Sequence, residues 1–111
     1  MSHAPAVDYV IEATREAENA VAALRSLSFA EAASLPRTES RNITIAGANS
    51  SLTIFRYSDA HLLEGQLLLV VSVARPRWLG MTSQQIERGL VFASDGAVRE
   101  ATITELQNSG G

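Results

Sequence analysis

The run Leu67-Leu68-Leu69-Val70-Val71, continued by Ser72-Val73-Ala74, constrains this chain more than any other stretch. It is far too short to cross a membrane, and its β-branched end disfavours a helix, so it is expected to form the central strand of a sheet. Alternate side chains along a strand point to opposite faces. Leu67, Leu69, Val71 and Val73 then line one face, while Leu68 and Val70 line the other before giving way to Ser72 and Ala74. Both faces need cover. How the second one obtains it is the main functional question in the sequence.

Cover for one face is easy to find. After Pro5, which is tolerated at a first helical position, Val7, Val10, Ile11, Thr14, Ala17, Val21 and Leu24 recur every three or four residues. Acidic and basic residues fall mostly between them, predicting an amphipathic helix of about six turns. Ala17 and Ala20 in its middle allow close approach to a sheet. Ser28-Phe29-Ala30-Glu31 has the form of a capping box, opening a short second helix from Phe29 to Leu35 that ends before Pro36.

Strands are expected on either side of the central one. Ile43 and Ile45 alternate with Asn42 and Thr44, the residues Gly47 to Ser50 suit a turn, and Leu52 to Tyr57 reads as the returning strand. After the central strand comes Thr82 to Arg88, rich in good helix formers, read here as a short helix closing at Gly89 with a strand as its alternative. Asp95-Gly96 asks for a two-residue hairpin turn between Leu90–Ala93 and Val98–Leu106. That turn would pair Phe92 with Arg99. The fold expected is α+β, a long N-terminal helix and a short second helix packed on one face of an antiparallel sheet of about five strands. With 111 residues, 46% of them hydrophobic, a single domain over residues 1–111 is expected, with 1–4 and 107–111 flexible.

Composition narrows the chemistry. The net charge of -3 gives no global attraction for nucleic acid, and all nine basic residues are arginine. Cysteine is absent, so disulfides, thiolate nucleophiles and thiolate zinc sites are excluded. The first residues lack the basic start and apolar run of a signal peptide, and the expectation is a cytoplasmic bacterial protein with no membrane association. No phosphate loop, dinucleotide fingerprint or nucleophile elbow can be read, and neither a cofactor nor a metal is expected.

The candidate site residues follow from what is left. Phe55 and Tyr57 fall on the same sheet side as Leu68 and Val70, and the four together would make an apolar patch too large for a soluble monomer to leave bare. Arg75, Arg77 and Arg88 with Trp78 form the one cationic and aromatic cluster, suited to gripping an anionic partner or stacking on a base, with a tryptophan that closes the core as the alternative. His61, near Asp59 and Glu64, is the one candidate polar group for a pocket.

In the order helix, three strands, short helix, two strands, the chain resembles the small dimeric chaperones of type III secretion effectors. Such a likeness implies an apolar surface along which a client segment wraps. A helix followed by an antiparallel sheet is also similar to cystatin-type protease inhibitors, and Ile43-Thr44-Ile45-Ala46-Gly47 echoes their Q-x-V-x-G hairpin. Here the glutamine position is Ile43, and the family's Pro-Trp pair is split by Arg77. The function expected is that of a non-enzymatic binding or adaptor protein, homodimeric through the second sheet face, with a client protein or apolar ligand as further partner. The alternative is a small pocket protein, ligand-binding or enzymatic, of cystatin-like or NTF2-like shape, its cavity lined by Phe55, Tyr57 and Trp78 with His61 at the mouth.

Overall fold

The computed structural model of the chain describes residues 6–57, 65–75, 85–104 and 106, with side chains from Tyr9 onward. Two helices, α1 (Ala6–Arg25) and α2 (Phe29–Ala33), precede five strands, β1 (Thr38–Ile45), β2 (Ala48–Tyr57), β3 (Gln66–Ala74), β4 (Gln85–Ala93) and β5 (Val98–Glu100). All neighbouring strands are antiparallel and the sheet order is β1-β2-β3-β4-β5, a plain meander. The fold is α+β, with β3 at its centre.

Central position explains the composition of β3. From Leu67 to Val73 every residue is buried, because strands flank it on both edges and apolar layers close both faces. Burying each Leu or Val side chain contributes about 1.5–3 kcal/mol, so this strand carries a large share of the stability.

On the first face, α1 lies over β3 and β4. Its buried stripe is Tyr9, Ala13, Ala17 and Val21. The expected stripe is therefore rotated, since Val10 is 40% and Ile11 56% exposed. The reason lies in size. Ala13 and Ala17 let the helix backbone approach the sheet closely, which a row led by Val10 and Ile11 does not. Tyr9 fills the wider space at the helix start, where its hydroxyl and the buried Ser50 hydroxyl are 3.0 Å apart. The Arg75 guanidinium caps the same ring at 4.8 Å.

The capping box at α2 forms as expected. Ser28 N–H donates to Glu31 Oε1 at 2.8 Å, and Glu31 N–H donates to Ser28 Oγ at 3.0 Å. Buried Ala32, with Phe29 and Leu35 partly buried beside it, joins the cluster under α1, so α2 extends cover of the first face and not the second. It is tied down by Arg56, whose Nε donates to Leu35 O at 2.8 Å.

Three local expectations are corrected. Gln85–Arg88 opens β4 where a helix was expected, since Ile86 opposite Val73 continues the core row, a tertiary gain that outweighs helix propensity; residues 82–84 lie outside the description. The β1–β2 turn is tighter than expected: Ala46 (φ 49) and Gly47 (φ 79) form a two-residue turn of the I′ kind, whose twist matches the strands, so β2 begins at Ala48.

The third correction concerns the last hairpin. Only Gly96, at φ 99, has positive φ there, and Gly96 N–H donates to Ala93 O while Ala93 N–H donates to Ala97 O. The loop is thus the three-residue form with a glycine bulge. One extra residue moves every later side chain to the opposite face. Phe92 pairs with Val98 inside the core, and Arg99 lies opposite Val91 instead. β5 stops at Glu100, well short of the expected Leu106, and a helical turn follows, Leu106 N–H donating to Thr102 O at 3.0 Å.

Candidate interaction surface

The second sheet face is built from the even positions of β3 and their cross-strand partners. Tyr57 opposes Leu68, Phe55 opposes Val70, and Val91 opposes Leu68 from the other side. The sequence thus places Phe55, Tyr57, Leu68 and Val70 together correctly, and the two rings stack with centroids 6.1 Å apart. What it leaves open is their cover. Leu68 is 0%, Val70 1% and Val91 1% exposed in the single chain, while Phe55 and Tyr57 are half-buried.

The cover comes from the chain's own C-terminal stretch. Ala101 and Leu106 pack on this cluster. They can do so because Gly89, paired with Val70 at the middle of β4, has no side chain. A Cβ there would stand 2.9 Å from Leu106 Cδ2 and 3.1 Å from both Ala101 Cβ and Leu69 O. Gly89 is accordingly a packing glycine within a strand and not the helix cap expected.

The rest of the second face is polar. Ser40, Thr53, Ser72 and Glu87 follow one another across four strands. The Ser40 and Thr53 hydroxyls are 2.7 Å apart, and Gln85 Nε2 donates to Ser72 Oγ at 3.0 Å and to Glu87 Oε2 at 2.9 Å. With an apolar end packed under the chain itself and a polar end satisfied by its own hydrogen bonds, this sheet face carries no fully exposed large hydrophobic among the described residues.

Of the remaining candidates, Arg75 turns to the first face over Tyr9, away from the Phe55 cluster. His61, Arg77 and Trp78 lie outside the described residues. Among the described residues, no group of three or more His, Cys, Asp and Glu side chains is placed to hold a metal ion. None of their helices is long and apolar enough to cross a membrane.

An open surface exists at the β1 flank. Because α1 sits mainly over β3 and β4, its cover of the first face thins towards β1, where a groove of about 280 Å³ runs between the helix and the edge of the sheet. Ala20, Ala23, Leu24, Leu52 and Ile54 give it an apolar floor, with Glu39 and Arg41 at the rim. No family model, no curated protein and no solved structure matches the chain.

Beside the groove, Thr38 to Asn42 of β1 are all exposed. The orientation of this edge follows from its pairing. Arg56 N–H donates to Arg37 O, and the register pairs Glu39 with Ile54 and Arg41 with Leu52. Odd residues therefore direct their backbone groups towards β2, while Thr38, Ser40, Asn42 and Thr44 direct theirs outward. Sequence reasoning missed this edge because it located strands by their apolar residues, and this half of β1 has none. The signal that could have found it is the run Thr38-Glu39-Ser40-Arg41-Asn42, polar on both faces yet required to pair with the well-marked Leu52–Tyr57 strand.

Proposed function

We propose that this chain is a non-enzymatic protein-binding module, an adaptor that works through the β1 edge and the groove beside it. The observation that carries this reading is the outward row of backbone groups at Thr38, Ser40, Asn42 and Thr44, lying beside an apolar floor. A strand added along such an edge gains main-chain hydrogen bonds, and its alternate side chains reach the floor. Unprotected edges are a liability that proteins normally blunt, and β1 is long and carries no proline. Dimerisation through the second sheet face loses its basis with Leu68 and Val70 closed in the single chain. The pocket reading gains nothing from the groove, which is smaller than the roughly 300–1,000 Å³ of usual ligand sites and lies open.

Ser40→Pro tests the reading. Its N–H points outward and makes no bond to β2, so proline is tolerated there by the fold but blocks an added strand. The variant is expected to keep the wild-type circular dichroism and to lose about 1 kcal/mol of stability or less, while any protein association of the chain, with itself or with a client, falls at least about tenfold. Association unchanged in a folded Ser40→Pro protein overturns the edge as the binding surface.

A further inference from the structure

We infer that the strand seated on the β1 edge is β1 of a second copy, joined antiparallel about a two-fold axis at Ser40. The inference deepens the edge reading and rests on it. Its argument is one of register. An added strand must meet the outward-facing residues Thr38, Ser40, Asn42 and Thr44 with outward-facing residues of its own. In an isologous pairing those are the same four, so the axis can only pass through a residue of β1. At Glu39 the axis sets glutamate against glutamate, and at Arg41 it sets arginine against arginine. Like charges directly opposite are destabilising. At Asn42 the axis sets Arg41 against an isoleucine and leaves both charges without a counterpart.

Among axes that keep the paired residues within β1, only Ser40 sets both Glu39 and Arg41 against an opposite charge. Its N–H and C=O bond to those of the partner's Ser40, and Thr38 exchanges bonds with the partner's Asn42. Glu39 then faces the partner's Arg41, and Arg41 the partner's Glu39, in the non-hydrogen-bonded positions where side chains approach most closely. Both pairs stand on the helix side of the sheet, at the groove rims. Each groove thereby gains a wall from the other copy. On the opposite side, the Ser40–Thr53 hydroxyl pair continues into its symmetry mate, extending the polar row through the axis.

The test is charge exchange read by sedimentation of the full chain over a concentration series. The wild type is expected to show a reversible monomer–dimer equilibrium. Glu39→Arg places four arginines around the axis and Arg41→Glu places four glutamates, so each is expected to weaken self-association about tenfold or more. An equimolar mixture of the two single variants restores opposite charges in both pairs, and so does the double variant E39R/R41E; both are expected to dimerise within about threefold of the wild type. Both positions are exposed, so the fold should tolerate each change, and thermal unfolding of the variants checks that it does.

A wild type that stays monomeric up to roughly 100 μM overturns the second copy as occupant while leaving the edge free for another protein. A dimer indifferent to the charge variants, or one in which mixing restores nothing, overturns the register. A dimer that also survives Ser40→Pro places self-association elsewhere and removes the edge reading with it.

Discussion

Leu68→Ala is expected to lower the free energy of unfolding by about 3 kcal/mol and to leave the oligomeric state unchanged. The side chain is 0% exposed, between Tyr57 and Val91 on neighbouring strands, in the cluster closed by Ala101 and Leu106. Truncation removes its transfer free energy and leaves a cavity that flanking strands cannot collapse around, because their spacing is set by backbone hydrogen bonds. Urea unfolding of wild type and variant measures the loss. The sedimentation equilibrium of the same samples separates two accounts of the second face. If Leu68 belongs to the chain's own core, stability falls and association stays. If it belongs to a subunit interface, the dimer dissociates and the monomer loses far less.

Gly89→Ala is expected to cost about 2 kcal/mol, in the range of overpacking a filled core. One of its three contacts is with Leu69 O, a backbone atom held in the β3–β4 ladder that cannot move aside. Another is with Leu106 Cδ2, the end of a flexible side chain. This gives a second expectation. Leu106→Ala alone should be destabilising, since it opens the roof over Leu68 and Val70. Combined with Gly89→Ala, it should make the added methyl cheaper to accommodate by about 1 kcal/mol. A double-mutant cycle by chemical denaturation checks this, and strict additivity would mean that Leu106 does not seat on Gly89 in solution.

These two residues also mark where the sequence is readable and where it is not. The apolar run at Leu67–Val71 declares a central strand, and its alternation assigns the face of every side chain from Leu67 to Val73 correctly. The capping box at Ser28 and Glu31 is equally legible, because it depends on residues three apart. Gly89 is not legible. A glycine after a run of helix formers looks like a cap, and its actual role depends on Leu106, brought to it by a helical turn after β5 that no local pattern announces.

The same holds for the last hairpin. Asp95-Gly96 names a turn but is compatible with two loop lengths, and one residue of difference moves Arg99 from beside Phe92 to opposite Val91. The cover of the second face is illegible for a similar reason. Counting only the two N-terminal helices as covering material leaves out Ala101 and Leu106, the latter on a helical turn after β5, which do that work. As for the β1 edge, polarity concealed it, and it became visible only through its pairing with β2.

Residue-resolved amide exchange, followed by NMR at low and high protein concentration, tests the open β1 flank most directly. Protection should rise with concentration at Thr38, Ser40 and Asn42, whose N–H groups point outward and acquire partners across the axis, and should stay low at Thr44, which the register carries past the end of the partner's strand. Leu68 and Val70 should be strongly protected at both concentrations. Concentration-dependent protection confined to the Phe55 and Tyr57 side of the sheet, with Ser40 and Asn42 exchanging freely throughout, would contradict it.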